Sequence, residues 1–336
     1  MACRMLFFDY RQSEESFFDR NSFANFDIKF FTESLNEKTL EKLSEEDFEK
    51  TMIISVFIHS IVDENIVSRF KNLRVISTRS TGYDHIDINS CVGKNIAMLN
   101  VGSYGNISVA QFTIGVMLTL VRNLKKAIEI QNSNFMLKDV LTGRDLNTLT
   151  LGVVGTGDIG SAVCNLARVF GMKILAYDIV LNYELQAAGV EYVELNELLQ
   201  NSDVVSLHLP YTKDNYHMFS QKEFELMKNN SYFINVSRGE LVDNEALYNV
   251  AKIGKFNGLA LDVVACVDES SLDNFDKSSI DCLSTSKIIQ DMAKLPNVLL
   301  TPHMAYDTQE AVEFILAETF KGITDCLTGG KGYRIV

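Results

Sequence analysis

The chain has 336 residues, more than one domain usually holds, so two domains are expected. Its composition, 46% hydrophobic and 22% charged, is that of an ordinary globular protein with material for two cores, and it excludes wholesale disorder. A net charge of −13 without any run of Lys and Arg excludes a duplex-binding surface and a basic membrane helix, so neither nucleic acid nor membrane is an expected partner.

The opening MACRMLFFDYRQ has a short apolar burst that soon meets Asp9 and Arg11, which reads as a first strand rather than a signal peptide. MLFFDY (5–10), FDIKFF (26–31), TMIISVFI (51–58), RVISTRS (74–80) and IAMLNV (96–101) have strand patterns. LEKLSEEDFEK (40–50) and ENIVSRFKNL (64–73) are helical patterns between them. Short apolar strands alternating with amphipathic helices predict a parallel α/β sheet. Residues 107–131 form one long helical pattern, apolar nearly all round until Arg122, which must be buried on most sides as a core or connecting helix; a homodimer interface is a further expectation for it.

A second alternating set follows: LTLGVVG (149–155), KILAYD (173–178), DVVSLHLP (203–210), YFINVS (232–237), GLALDVV (258–264) and NVLLTPH (297–303). These strands are apolar on both faces, as in a parallel sheet covered by helices on two sides. The Ser/Asp-rich segment 266–296 reads as a long loop with a short helix, and QEAVEFILAETFKGITDCL (309–327) as a helix returning to the first domain. No apolar stretch is long enough to span a bilayer. Cys3, Cys91, Cys164, Cys266, Cys282 and Cys326 are scattered without a CxxC pair, which points to free thiols in a reducing cytoplasm and to no metal site.

Gly155-Thr156-Gly157-Asp158-Ile159-Gly160 ends one of these strands and opens a helix, the context a dinucleotide turn requires. Gly155 permits the tight turn, Gly157 lets the backbone approach a pyrophosphate, and Gly160 lets helix and strand pack. The helix N-terminus offers unpaired N–H groups and a positive dipole end. Twenty-one residues after Gly157, KILAYD ends at Asp178, placed to accept hydrogen bonds from the adenosine ribose. A carboxylate there repels a 2′-phosphate, so NAD is the expected cofactor in preference to NADP. Arg238, in INVSRG, ends a strand at the same edge, where a guanidinium clamps a carboxylate in two charge-assisted bonds or serves as a surface ion pair. His303, in TPH, shares that address, and an imidazole is the side chain best suited to give or take a proton there; His59, His85, His208 and His217 have weaker claims.

In this order, GTGDIG, Asp178, LHLP, INVSRGELVD, GLALDV and TPHMAYDT resemble the D-isomer-specific 2-hydroxyacid dehydrogenase family. STRSTGYDHIDI (77–88) and NVGSYGNISVAQ (100–111) extend the likeness over nearly the whole chain, and the phrasing is most similar to the D-lactate dehydrogenase branch. The resemblance implies a Rossmann NAD-binding domain (102–303) inserted in a flavodoxin-like substrate domain (1–101 plus 304–336). It implies that Arg238 binds the substrate carboxylate and carbonyl, that His303 is the acid/base, that the amides of Thr81 and Gly82 hold the carboxylate, and that Tyr104 lines the site. Phe57 and Tyr104 would shape the pocket toward an apolar substrate side chain. Asp158, Ile159, Asp178, Leu209, Pro210, Asn215, Val236, Ser237 and Asp262 fall where the family contacts NAD.

One position departs. The family places a glutamate, partner of the catalytic histidine, five residues after the aspartate of the ALDV motif; here that position is Val267. Valine neither raises a histidine pKa nor orients its ring. Either a local insertion brings Glu269 or, next in order, Asp268 into the role, or the pair is absent. The expected reaction is NAD-dependent reduction of a small, pyruvate-like 2-oxoacid to the D-2-hydroxyacid in the cytoplasm. The alternative is an NADH-sensing regulator, or a low-activity homologue lacking the usual glutamate.

Overall fold

The computed structural model describes residues 2–21, 23–102, 105–132, 141–265, 280–332 and 334–336. It divides into two compact units, Met1–Tyr104 with Asp307–Val336, and Gly105–Tyr306.

The first unit holds β1 (Cys3–Phe7), β2 (Phe26–Phe30), β3 (Thr51–Val56), β4 (Val75–Thr78) and β5 (Ala97–Leu99). All pairs are parallel, in the order β2-β1-β3-β4-β5. This is the flavodoxin-like order. Side chains alternate between faces with period two. Met5, Phe7 and Ile53 enter one core, while Leu6, Phe8, Ile54 and Val56 enter the other. The helix Gln309–Leu327 closes the first of these cores with Val312, Leu316, Phe320 and Ile323, one stripe at helical spacing. Each such side chain contributes about 1.5–3 kcal/mol by its burial. The chain then runs beside β5, where Ile335 N–H donates to Met98 O at 2.8 Å.

Within this unit Arg79 is 1% exposed, an expensive place for a cation unless every donor is met. Its guanidinium donates to Ser55 Oγ at 3.0 Å and to the carbonyls of Phe8 and Asp9 at 2.7 and 3.1 Å, and it lies 3.9 Å from the Phe7 ring centroid. The buried Glu14 carboxylate stands 3.9 Å away.

The second unit holds β6 (Thr150–Val154), β7 (Lys173–Tyr177), β8 (Glu191–Tyr192), β9 (Val204–Leu207), β10 (Ser231–Asn235), β11 (Phe256–Leu261) and β12 (Val298–Leu300). They form one parallel sheet, β12-β11-β10-β9-β6-β7-β8, doubly wound about β6 as in a Rossmann fold. Leu151, Val153, Ile174 and Ile234 face the core covered by the helices Asn106–Val121 and Asp158–Val169. Val154, Leu175, Val205 and Phe233 face the opposite core.

Two expectations are corrected. The single helix over 107–131 is two, Asn106–Val121 and Leu124–Asn132, bent by 57° at the break. Asn123 sits at the break in the left-handed region, φ 53°, which asparagine tolerates better than most residues. The pattern over 40–50 is likewise two short helices, Glu37–Leu40 and Glu45–Lys50, because Ser44 caps the second by accepting from Asp47 N. The two-residue strand β8 was not expected; it is too short to show a period. Of the segment 266–296, residues 266–279 lie outside the described residues, and a helix of 14 residues, Ile280–Ala293, follows. Among the described residues no single helix is long and apolar enough to cross a membrane.

Candidate active site

The turn after β6 shows three glycines with three separate reasons. Gly155 has φ 95°, a conformation that L side chains rarely adopt, and a Cβ there would fall 2.7 Å from His208 O. A Cβ on Gly160 would fall 1.9 Å from Gly155 O, so helix and turn could not close. At Gly157 a Cβ would meet nothing within 4 Å: the fold leaves that face open, where a pyrophosphate would lie against backbone. Gly157 is also the N-cap of the helix Asp158–Val169 and supplies no capping side chain. The first-turn N–H groups are thereby left to an anion. Asp158 accepts a hydrogen bond from Asn106 Nδ2 at 3.3 Å, and Ile159 packs on the adjoining core.

Asp178 follows β7 and is half-buried. Its Oδ2 accepts from Thr156 N at 2.5 Å and Thr156 Oγ1 at 3.1 Å, and its Oδ1 from Val180 N at 3.1 Å. A carboxylate offers about four acceptor sites, so capacity remains for a ribose hydroxyl. Tyr192 of β8 donates to Thr156 Oγ1 at 3.0 Å and fixes that hydroxyl.

The segment after β9 packs on the same turn, with a Leu209 methyl 3.0 Å from the place a Gly155 Cβ would take. Ser237 Oγ donates to Leu209 O, and Asn215 Nδ2 donates to Pro210 O at 2.8 Å. His208 is held neutral: burial pushes its imidazole down to about 3, and Nε2 meets Ser206 Oγ at 2.9 Å.

Arg238 leaves β10 through a turn built by Asn235. The fully buried Asn235 accepts from Ser237 N at 3.0 Å and donates to Arg238 O at 2.9 Å. Val236 is buried beside it, and the guanidinium donates back to Ser237 O at 2.9 Å. Gly239 is required next, since a Cβ there would fall 2.2 Å from Ala265 N.

His303 follows β12 in the left-handed region, φ 47°. Such a conformation costs about 1–3 kcal/mol for a residue other than glycine and persists only where its surroundings enforce it. Asp262, 2% exposed, enforces it. Its carboxylate accepts from Thr301 Oγ1 at 2.5 Å, Met304 N at 3.0 Å and Ala305 N at 2.9 Å, and its carbonyl accepts from His303 N at 2.9 Å. The Tyr306 ring stands edge-on to the imidazole at 6.0 Å.

β6, β7, β9, β10, β11 and β12 are parallel members of one sheet, so the glycine turn, Asp178, Leu209, Arg238, Asp262 and His303 all emerge at its carboxyl edge. That edge is where open α/β sheets bind ligands. Thr81 and Gly82 belong to the first unit, in the turn after β4. Thr81 O accepts from Asn100 Nδ2 at 2.9 Å and Gly82 O accepts from Ser80 Oγ at 2.6 Å. The N–H groups of Thr81 and Gly82 meet no acceptor among the described residues. Tyr104, Val267, Asp268 and Glu269 lie outside the described residues.

Residues 114–305 match the model of the D-isomer specific 2-hydroxyacid dehydrogenase NAD binding domain. The chain belongs to the D-isomer-specific 2-hydroxyacid dehydrogenase family. A 2-hydroxyacid dehydrogenase homolog of Haemophilus influenzae is 33% identical, covering 94% of this chain and 93% of that protein. A D-specific alpha-keto acid dehydrogenase of Enterococcus faecium is 37% identical over 81% of this chain and 82% of its own length. The solved structure of D-lactate dehydrogenase from Aquifex aeolicus, complexed with NAD and lactic acid, superposes with a TM-score of 0.87 at 37% identity and 99% coverage of both chains.

As a member of this family the protein is an NAD-dependent 2-hydroxyacid dehydrogenase, and NAD is its cofactor. The turn at Gly155–Gly160 and Asp178 fit a dinucleotide on their geometry alone. Four supporting residues escaped sequence reasoning: Thr156 and Tyr192 behind Asp178, Asn235 behind Arg238, and Thr301 beside Asp262. Thr156, Asn235 and Thr301 carried a signal in their places within GTGDIG, INVSRG and TPH; Tyr192 carried none.

Proposed function

We propose that this dehydrogenase reduces a small, pyruvate-like 2-oxoacid to the D-2-hydroxyacid, with Arg238 and His303 as its catalytic residues. The observation that carries this reading is their common placement: Arg238 follows β10 and His303 follows β12, strands on either side of β11, at the carboxyl edge of one sheet. NADH, when bound, supplies the hydride. Arg238 holds the substrate carboxylate by charge-assisted bonds and polarises the neighbouring carbonyl. His303 gives its proton to that carbonyl oxygen, so the product leaves as the hydroxyl and the imidazole is reprotonated from solvent. Asp262, a cofactor contact by resemblance, serves also as a positioning residue for His303, a role that its bonds to the 301–305 loop support. The Thr81 and Gly82 amides of the first unit, the substrate domain on this reading, are further carboxylate donors.

NADH oxidation with a panel of 2-oxoacids tests the assignment. Arg238→Ala and His303→Ala should each lower kcat/KM by about 10²–10⁴-fold. Undiminished oxidation of NADH with every acid by either variant would remove that residue from the mechanism.

Val267, at the position of the family glutamate, favours a second reading, an NADH-sensing protein with little turnover. Cofactor binding without turnover of any 2-oxoacid above background by the wild-type enzyme would establish it. A cytoplasmic homodimer completes the proposal. Ile107, Leu124 and Ile128 are 53%, 46% and 61% exposed along the paired helices and offer an apolar seam for a second copy.

A further inference from the structure

STRSTGYDHID contains a histidine that the reaction does not use. His85 Nε2 lies 3.1 Å from Thr78 Oγ1, Thr78 Oγ1 lies 2.6 Å from Ser80 Oγ, and Ser80 Oγ lies 2.6 Å from Gly82 O. Thr78 is fully buried, Ser80 is 2% exposed, and His85 is half-buried. Each hydroxyl has one proton to give. Gly82 O is a carbonyl and only accepts, so the Ser80 proton goes to it. Ser80 Oγ must then accept from Thr78, which leaves Thr78 Oγ1 as an acceptor for a proton on His85 Nε2. The direction of the whole chain follows: His85 Nε2–H to Thr78, Thr78 to Ser80, Ser80 to Gly82 O.

We propose that His85 is a positioning residue for the substrate carboxylate, acting through this one-way relay on the Thr81–Gly82 turn. The inference rests on the assignment of the Thr81 and Gly82 amides as carboxylate donors. Both carbonyls of the turn are drawn off by donors of their own unit, Thr81 O by Asn100 and Gly82 O by Ser80. A peptide plane fixed at its oxygen is fixed at its N–H, so pinning Thr81 O sets the direction of the Gly82 N–H. Pinning Gly82 O prevents the following peptide from turning its oxygen toward an arriving anion. Hydrogen bonds in series also polarise one another, so a donor at the head strengthens the grip on Gly82 O at the tail. His85 is the member that holds the relay in that direction: without its Nε2–H, Thr78 can turn its proton away from Ser80.

Steady-state kinetics with pyruvate and NADH tests this. His85→Ala should raise KM for pyruvate by about tenfold while kcat and KM for NADH stay within about threefold, because the turn holds the carboxylate equally in ground and transition states. Ser80→Ala cuts the last link without altering the imidazole and should show the same split; it also stands in if His85→Ala does not fold. His85→Gln, whose amide Nε2–H reaches a similar point, should restore pyruvate KM to within about threefold of wild type. An unchanged pyruvate KM in both alanine variants would overturn the relay, as would an equal rise in NADH KM or a glutamine variant no better than alanine. Absence of 2-oxoacid turnover by the wild-type enzyme would sink the parent assignment and the relay together.

Discussion

Asp262 grips the backbone on both sides of His303: its carbonyl takes the His303 N–H at 2.9 Å, and its carboxylate takes the N–H groups of Met304 and Ala305 at 3.0 and 2.9 Å. Every partner is a donor, so an amide in place of the carboxylate would present its own N–H₂ to an N–H or O–H. Hydrogen bonds to a buried charge are worth about 1.5–3 kcal/mol each. Asp262→Asn should therefore lower Tm by roughly 3–12 °C. With the imidazole released from its strained position, kcat should fall by about 100-fold. Scanning calorimetry beside single-turnover kinetics checks both numbers; a variant with native Tm and kcat would show that the loop holds His303 without Asp262.

Gly157 and Gly160 should separate cofactor binding from folding. Gly157→Ala introduces a methyl into open space and should keep Tm within about 2 °C, while NADH affinity falls about tenfold or more. Gly160→Ala places its methyl 1.9 Å from Gly155 O and should destabilise the second unit by more than the usual overpacking cost of about 1–3 kcal/mol. Titration of each variant with NADH, followed by nicotinamide fluorescence, together with thermal melts distinguishes them. Equal melts for the two would mean that the turn relaxes around an added Cβ.

The glycine turn was legible because its cause is local: three glycines within six residues, a strand before and a helix after. Asp178 was legible for the same reason, one βαβ unit away. Asp262 was different. The resemblance places it among cofactor contacts, yet its side-chain partners stand 39 to 43 residues further along, and no pattern near GLALDV announces them. The break at Asn123 was hidden too, since apolar periodicity runs through VRNLKK and one left-handed asparagine leaves no trace in it. Nothing in RVISTRS singles out Arg79; only the meeting of β1, β3 and β4 shows it to be buried.

Charge at Asp178 should govern the choice of dinucleotide. Asp178→Asn retains an oxygen for Thr156 but removes the negative charge that a 2′-phosphate would meet. KM for NADH should rise about tenfold, and the preference for NADH over NADPH should narrow by at least about tenfold. Parallel kinetics with the two cofactors provide the comparison. An unchanged ratio would place the discrimination elsewhere.

His208 should make the second unit sensitive to acid. Burial lowers its pKa from 6.5 to about 3, so below pH 6.5 the unfolded chain takes up a proton that the folded protein refuses. The contribution is fully present above 6.5 and is lost progressively as pH falls toward 3. His208→Gln, which keeps an amide for Ser206, should lose less stability than wild type between pH 7 and pH 4 in urea titrations. Parallel curves for the two would show that this imidazole charges in place.

The first unit is built from two stretches of chain separated by the whole of Gly105–Tyr306, and its β1 face is closed by Val312, Leu316, Phe320 and Ile323. On the ribosome these stripes emerge in a fixed order. The dinucleotide-binding unit is complete in sequence while Met5, Phe7, Ile53 and Val75 still await their cover, so the earlier-made strands are the later to be sealed. An aromatic face that includes Phe7, Phe17, Phe18 and Phe23 is thus open during synthesis, and the nascent chain is most prone to chaperone capture and aggregation until its final helix arrives.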